Sequence, residues 1–182
     1  MAYYKKLVGE RIYLSPMCME DAETYVEWLS DRSVTDGIHG TSKLLSVEQE
    51  KEWIRKNLEK GEYIFSIVLK ENDKLIGNCS IMNLNRTDRT GTLGILIGEE
   101  QYRNNGYGAE ALRLLLDYGF NILNLHNINL GVFSFNERAI NCYKKVGFKE
   151  CGRRRESYYL DGKYHDEITL DMLEDEYRNM YK

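Results

Sequence analysis

The sequence predicts an α/β fold of the α+β type, in which helices flank a mixed and mostly antiparallel sheet. The hydrophobic pattern changes several times between a helical period near 3.6 residues and the alternation of a strand. The elements follow one another as a strand, two helices, three strands, a helix, a strand, a helix and two strands. Adjacent strands favour antiparallel pairing, and single-helix crossovers give parallel neighbours. With 182 residues, 42% of them hydrophobic, the chain can bury one core, and we expect a single domain over residues 1–182.

The first third of the chain carries one strand and two helices. Alternation of Ile12 and Leu14 in RIYLSPM predicts the strand. Four apolar residues of MEDAETYVEWLSD share one face of the first helix: Ala22, Tyr25, Val26 and Leu29. Ser46 and Gln49 have the spacing of a capping box, so we expect the second helix to begin near Ser46 and to end at Gly61.

The rest of the chain alternates between strands and helices. EYIFSIVLK and KLIGNCSIMNLN predict a hairpin across ENDK, and TGTLGILIG predicts a third strand. A helix follows from Gly106, with Gly119 in its seam and four leucines on one face: Leu112, Leu115, Leu116 and Leu123. NINLGVFS predicts a strand, and NERAINCYKKVG predicts a short helix ended by Gly147. ECGRRRESYYL and KYHDEITLDML predict a closing hairpin about the Asp161–Gly162 turn.

Composition excludes several classes of function. A net charge of -4 argues against a general nucleic-acid binder and is compatible with a cationic substrate. Four cysteines show neither Cys-x-x-Cys pairing nor nearby histidine spacing, so we expect reduced thiols and no metal site. No apolar run approaches the roughly 18 residues of a membrane span, and no secretory h-region is present. These features predict a cytoplasmic protein with no membrane partner.

The segment EEQYRNNGYGAEALRLLLDYGF places a glycine turn directly before a helix. Gly106 and Gly108 leave the backbone bare where the first helical amides lack intrahelical acceptors and the macrodipole is positive. With Arg103 as a forked donor the stretch suits an anion, although a turn that only connects two elements has the same composition. The Walker pattern is absent, and Glu110 and Ala111 follow where the dinucleotide fingerprint needs a third glycine.

Two motifs resemble those of the GNAT family of N-acetyltransferases. RNNGYG is similar to the Gln/Arg-x-x-Gly-x-Gly/Ala loop that binds the acyl-CoA pyrophosphate, and NERAINCYKKVGF is similar to the Asn-x-x-Ala-x-x-x-Tyr-x-x-x-Gly-Phe signature. Five signature residues are in place: Asn136, Ala139, Tyr143, Gly147 and Phe148. LGILIGEEQYR and GRRRESYYLDGKYHDEITLDML resemble the subgroup that acts on ribosomal-protein N-termini and on polyamines. The resemblance covers most of the chain, most firmly from about Glu62 onward, and implies an acyl-CoA N-acyltransferase-like fold.

The resemblance also implies a reaction and a set of site residues. An acetyl group passes from acetyl-CoA to an amine without a covalent enzyme intermediate. Asn136 contacts the pantetheine, serves only as an N-cap, or does both, while Tyr143 is the general acid that protonates the CoA thiolate. The pantetheine arm pairs with the backbone of the strand at Ile95, Leu96 and Ile97. A backbone N–H of this strand can also stabilise the oxyanion. The side chains of Ile95 and Ile97 are expected to pack in the core. The pyrophosphate lies on the amides of Arg103, Asn104, Asn105, Gly106, Tyr107 and Gly108.

The general base is left open by the sequence. Many family members carry a glutamate on the strand before the loop, but Thr92 occupies the corresponding position and no acid follows until Glu99. Four candidates lie in VTDGIHG and KYHDEI: Asp36, His39, Asp166 and Glu167. Asp36 also suits a plain turn, and strand alternation allows at most one of Asp166 and Glu167 to point into the site.

The leading interpretation is therefore an enzyme acting on a small-molecule or peptide amine. The acceptor is a polyamine, a protein N-terminal amine, or an amino sugar or antibiotic. The alternative is an acyl-CoA-binding sensor without turnover, which the missing strand glutamate favours and Tyr143 disfavours. A different nucleotide-binding enzyme would show competition of ATP or NAD with CoA. A homodimer is expected only by analogy with relatives, and Arg153, Arg154 and Arg155 are interpreted as a solvated strand edge.

Overall fold

A computed structural model describes residues 3–38 and 40–181. The strands of this part are β1 (Leu7–Val8), β2 (Ile12–Pro16), β3 (Tyr63–Leu69), β4 (Leu75–Asn85), β5 (Thr90–Ile97), β6 (Asn127–Phe133), β7 (Lys149–Leu160) and β8 (Lys163–Leu173). The helices are α1 (Ala22–Ser30), α2 (Arg32–Thr35), α3 (Val47–Lys60), α4 (Tyr107–Asp117), α5 (Glu137–Val146) and α6 (Glu174–Tyr181). Two 3-10 turns, Met19–Asp21 and Glu100–Tyr102, precede α1 and α4, and a π-helical turn, Tyr118–Ile122, extends α4. Among the helices of residues 3–38 and 40–181, none combines the length and the apolar composition that a membrane crossing requires.

The hydrogen-bonded strand order is β1-β2-β3-β4-β5-β6-β8-β7. The pairs β1–β2, β2–β3, β6–β8 and β7–β8 are antiparallel, whereas β5 and β6 are parallel. A parallel pair needs a crossover connection, which the helix α4 supplies. The predicted α+β class, with helices flanking a mixed and mostly antiparallel sheet, is confirmed.

The chain forms two compact units, and it passes from one to the other three times, within β4, within β5 and within α4. Unit 1 comprises Met1–Ser80 and Ile95–Leu114, and unit 2 comprises Ile81–Gly94 and Leu115–Lys182.

In unit 1, α1 and α3 pack together beside β2 and β3. The predicted capping box of α3 is present, because Gln49 N donates to Ser46 Oγ at 3.2 Å and Ser46 N donates to Gln49 Oε1 at 2.9 Å. Gly61 ends the helix with a φ of 68°. The apolar side chains of this core include Tyr13, Tyr25, Trp28, Ile54 and Val68.

In unit 2, the end of α4, α5 and α6 accompany β6, β7 and β8. Gly119 lies where the π-helical turn meets β6: a Cβ added there would stand 2.5 Å from Ile128 Cδ1. This close approach confirms a glycine in the packing seam. The buried side chains include Leu115, Phe120, Leu130, Val146 and Met172.

The structure differs from the sequence expectations in a few elements. The strand β1 and the helices α2 and α6 were not predicted, and Leu123 does not lie on the apolar face of α4. The π-helical turn is the reason, because Leu123 N donates to Tyr118 O, five residues back, and the chain then places Leu125 in the core instead. Leu123 is only half-buried.

Candidate functional site

The loop between β5 and α4 has the backbone that its glycines and asparagines predict. Asn104 has a φ of 61° and Gly106 a φ of 84°. The left-handed region is costly for most L-residues but open to glycine and tolerated by asparagine. These two residues turn the chain so that α4 begins at Tyr107.

The amides of this loop are available to a ligand. Within residues 3–38 and 40–181, no acceptor takes a hydrogen bond from the backbone N–H groups of residues 104 to 109. The series ends at Glu110, whose N–H donates to Gly106 O at 3.0 Å. Unused amides beside the positive end of a helix dipole are groups to which an anion can bind through the backbone alone.

The sequence suggested that the Arg103 side chain binds an anion, but the structure places this side chain against the protein backbone instead. The residue is 8% exposed, and its guanidinium donates to Ile97 O at 3.2 Å, to Gly98 O, and to Ser33 O at 3.3 Å. Its backbone N–H donates to Glu100 O at 2.9 Å. Because its guanidinium and its backbone N–H both donate to backbone carbonyls, Arg103 stabilises the conformation of the loop.

Arg11 is a second arginine beside the loop, and no motif in the sequence marks it. Its Nη1 donates to Asn105 O at 2.9 Å and its Nε donates to Glu110 Oε2 at 3.0 Å. Its Cζ atom lies 4.5 Å from the centre of the Tyr107 ring, in cation–π range. Arg11 and Asn105 are 94 residues apart, so no local motif could reveal the contact.

The last residues of β5 lie between two glycines that permit close packing within unit 1. A Cβ on Gly77 would meet Leu96 O at 2.1 Å, and a Cβ on Gly98 would meet Trp28 Cδ2 at 2.0 Å. Ile95, Leu96 and Ile97 are each only partly buried, so the core packing expected for Ile95 and Ile97 is incomplete.

The parallel ladder between β5 and β6 is short. It covers Thr90↔Asn127, Gly91↔Ile128 and Thr92↔Asn129, although both strands continue beyond these pairs. The later residues of β5 are therefore outside this ladder.

In unit 2, Asn136 is the N-cap of α5. Its Oδ1 accepts from Ala139 N at 3.2 Å, as predicted for a cap. Its Nδ2 donates to no residue of the described part of the chain. The cap and a contact to a ligand are therefore compatible, because they use different atoms of the same side chain.

Tyr143 lies on α5 and packs edge-to-face against Phe148, with ring centres 6.1 Å apart. It is 8% exposed, and its hydroxyl bonds to no described residue. No fully buried side-chain nitrogen or oxygen of the described residues lacks a partner, so this hydroxyl reaches solvent. Burial of the ring raises the pKa of Tyr143, which keeps the phenol protonated at neutral pH.

All three candidate bases that lie within the described residues pair with an arginine. Asp36 Oδ2 accepts from Arg32 Nη2 at 3.2 Å. Asp166 accepts from Glu156 N at 2.9 Å and from Arg153 Nη1 at 3.1 Å. Those donors hold the pKa of Asp166 below its usual range, which weakens it as a base. His39 lies outside the described residues.

Glu167 has a different setting from Asp166, as strand alternation predicts. Glu167 pairs with Arg154 at 2.7 Å, whereas Asp166 pairs with Arg153. A Cβ on Gly131 would stand 2.6 Å from Glu167 Oε1, so the carboxylate lies over the bare backbone of β6. Gly131 follows Asn129 by two residues, and Asn129 Oδ1 accepts from Thr92 Oγ1 at 3.3 Å. Glu167 therefore shares a sheet face with Thr92.

The described residues contain no group of three or more histidine, cysteine, aspartate or glutamate side chains that could hold a metal ion.

The fold, the loop of unused amides and the α5 sequence are consistent with an acetyltransferase, and comparison with known proteins shows the family. The acetyltransferase (GNAT) domain model matches residues 11–149. This chain belongs to the GNAT family and is an N-acetyltransferase.

Relatives of known name and structure support a subgroup. An uncharacterized N-acetyltransferase, p20 of Bacillus licheniformis, is 30% identical over 94% of this chain and 97% of that protein. Spermidine N(1)-acetyltransferase of Vibrio cholerae is 29% identical over 74% of this chain and 77% of its own length. A crystal structure of the Vibrio cholerae spermidine N-acetyltransferase in complex with CoA and spermine has a TM-score of 0.84 at 25% identity, covering 93% of this chain and 99% of that one. The predicted resemblance to spermidine acetyltransferases is confirmed.

Proposed function

We propose that the protein transfers the acetyl group of acetyl-CoA to a primary amine, with polyamines as the first acceptor class to test. Unpaired amides at the start of α4 carry the donor half of this proposal, because they suit a diphosphate. Likeness to spermidine acetyltransferases supports the acceptor half. Protein N-terminal amines and amino sugars are the remaining acceptor classes.

The cofactor is proposed to use mainly backbone groups of the chain. The amides of residues 104 to 108 hold the diphosphate, and the backbone of Ile95, Leu96 and Ile97 pairs with the pantetheine arm. Arg103 contributes by fixing the loop rather than by touching the phosphates. Asn136 Nδ2 donates to a pantetheine carbonyl while Oδ1 caps α5.

Tyr143 and Glu167 are proposed as the acid and the base. A protonated phenol whose hydroxyl reaches solvent is suited to donate a proton to the departing CoA thiolate. Glu167 removes a proton from the bound ammonium through water, so that the neutral amine can attack the acetyl carbonyl, and it does so from the sheet face that carries Thr92. A Glu167→Gln variant should lose turnover with CoA affinity retained, whereas the neighbouring Asp166→Asn should lose far less. Equal effects of the two substitutions would reject Glu167 as the base.

The test of the whole proposal is thiol release from acetyl-CoA, followed with a chromogenic thiol reagent. The panel contains spermidine, spermine, an aminoglycoside, an amino sugar nucleotide and peptides with free N-termini. Release with spermidine or spermine alone would establish a polyamine acetyltransferase. Release only with peptides or sugars would replace the acceptor class and keep the donor.

A second candidate function is an acyl-CoA sensor without turnover. Replacement of the strand glutamate by Thr92 favours it, and the candidate acid Tyr143 argues against it. Calorimetric CoA binding with no thiol release from any amine would select the sensor. A homodimer and a cytoplasmic location are proposed alongside, the first testable by sedimentation and the second by fractionation.

A further inference from the structure

Arg11 lies against the loop that precedes α4 and is held there on three sides. Nη1 donates to the Asn105 carbonyl, Nε donates to Glu110, and the guanidinium covers the Tyr107 ring. The side chain is nevertheless 45% exposed. A guanidinium has five N–H donors, and those of Nη2 donate to no residue of the described chain.

The Nη2 atom of this guanidinium lies beside Gly106, one of the residues with an unused amide. A Cβ placed on Gly106 would stand 3.1 Å from Arg11 Nη2. Gly106 belongs to the stretch, residues 104 to 109, whose N–H groups have no acceptor within the described residues. Fixed amides and a fixed cation therefore border the same small surface of unit 1.

The segment around Arg11 also removes a competitor for those amides. Glu110 lies in the first turn of α4, where a carboxylate can accept from the unpaired helical amides itself. Here Glu110 Oε1 instead accepts from Arg11 N at 2.8 Å and from Ile12 N at 3.2 Å, and Oε2 accepts from Arg11 Nε. Burial alone would raise the pKa of Glu110, but these donors lower it, so the carboxylate stays ionised and stays turned toward β2.

We propose that Arg11 is a diphosphate-binding residue of the cofactor site. It fixes the Asn105 carbonyl so that the neighbouring amides face outward, and its Nη2 donates to a diphosphate oxygen above Gly106. This inference rests on the proposed use of CoA. It assigns the charged contact with the diphosphate to β2, distant in sequence from the glycine loop. Charge-assisted bonds to phosphate are stronger than those from neutral amides, so Arg11 adds affinity that the loop alone lacks.

The experiment compares Arg11→Ala and Arg11→Lys with the wild-type protein. Calorimetry gives the Kd for CoA and for 3′-dephospho-CoA, and thiol release gives kcat/KM for acetyl-CoA and for acetyl-pantetheine, which has no phosphate. Arg55→Ala is the matched control, because Arg55 forms an exposed ion pair with Glu52 on α3. Thermal unfolding of every variant checks that it folds, and Arg11→Lys, which keeps the charge but loses the fork, provides a milder substitution.

The expected result is a loss confined to donors that carry the diphosphate. Arg11→Ala should bind CoA and 3′-dephospho-CoA about 10- to 100-fold more weakly, the range for losing a charged hydrogen bond. Its kcat/KM for acetyl-pantetheine and the properties of Arg55→Ala should be unchanged, and Arg11→Lys should fall between wild type and Arg11→Ala.

Other results would overturn the inference in distinguishable ways. Equal losses with acetyl-CoA and acetyl-pantetheine would show a general structural role. A loss with CoA but not with 3′-dephospho-CoA would move the contact to the 3′-phosphate and away from the diphosphate. Unchanged CoA affinity in both variants would reject Arg11 alone, whereas absence of CoA binding by the wild-type protein would reject the proposed function together with it.

Discussion

Replacement of Gly98 by alanine should disturb the chain just before the candidate diphosphate loop. The added Cβ would lie 2.0 Å from Trp28 Cδ2 and 2.1 Å from Cε2, far inside the roughly 3.5–4.0 Å at which carbon atoms pack best. Trp28 is 5% exposed, so its ring has little room to move. The Gly98 backbone is fixed as well, since its N–H donates to Ile76 O at 3.0 Å and its carbonyl accepts from Arg103.

The size of the effect follows from this overlap. Overpacking typically costs about 1–3 kcal/mol, and a contact of this depth against an indole belongs near the upper end, about 3 kcal/mol. For a chain of this length each kcal/mol lowers Tm by about 2–4 °C, so the expected decrease is about 6–12 °C. CoA affinity should also fall at temperatures where the variant is folded, because the Gly98 carbonyl is one of the anchors of Arg103.

Thermal unfolding followed by circular dichroism, with calorimetric CoA titration, tests both parts. Gly152→Ala on β7 is the control, since its added Cβ would have its nearest neighbour, Thr169 Cβ, at 3.9 Å. In a Trp28→Leu background the same Gly98→Ala change should cost less, because the atoms that it meets are gone. A Gly98→Ala protein as stable as Gly152→Ala, or a cost that Trp28→Leu leaves unchanged, would refute the steric reasoning.

Three further substitutions have directions fixed by the structure. Tyr143→Phe should lower kcat by about 10²- to 10⁴-fold with Tm and CoA affinity unchanged, because the hydroxyl bonds to no described residue; wild-type thiol release would contradict it. Asn136→Asp should keep the α5 cap and Tm but raise the KM for acetyl-CoA, because only the Nδ2 donor is lost; an unchanged KM would exclude that contact. Burial raises the pKa of Glu50, so the folded chain binds that proton more tightly than the unfolded chain, and wild-type stability falls as pH rises through this pKa. In urea denaturation Glu50→Gln should thus be more stable than wild type at about pH 8 and equal to it at about pH 4, and a difference independent of pH would contradict the assignment.

Local signals explain what the sequence predicted correctly. The capping box at Ser46 and Gln49 depends on atoms three residues apart, and the α5 N-cap at Asn136 does so as well. Strand alternation placed Asp166 and Glu167 on opposite faces because that geometry belongs to any strand. The missed elements lack such signals: β1 has two residues and α2 has four, too few for a period to show. The missed α6 depends on a distant contact, since Tyr177 stacks on Phe120 with ring centres 4.9 Å apart.

In the candidate site, the backbone conformation could be predicted from the sequence, but the direction of the long side chains could not. The left-handed turn at Asn104 and Gly106 follows from residue type, and so the unused amides could be predicted from RNNGYG. The direction of a long side chain depends instead on which carbonyls lie within its reach. For Arg103 these are the carbonyls of Ile97, Gly98 and Ser33, and no spacing rule identifies the last of them.

Arg103 and Arg11 therefore divide between them the two roles, loop stabilisation and phosphate binding, that the RNNGYG motif assigns to Arg103 alone. Arg103 could face solvent only by breaking its hydrogen bonds to backbone carbonyls such as that of Gly98. At 8% exposure, its guanidinium is buried in the protein. Arg11 approaches from β2, on the side where Asn105 and Gly106 are exposed, and leaves one nitrogen unused. A motif defined by neighbours in sequence can specify the backbone that receives an anion, but the cation that accompanies it is supplied by the fold. For that reason Arg103→Ala should lower both the Tm and the affinity for CoA, whereas Arg11→Lys should lower the affinity for CoA and leave the Tm unchanged.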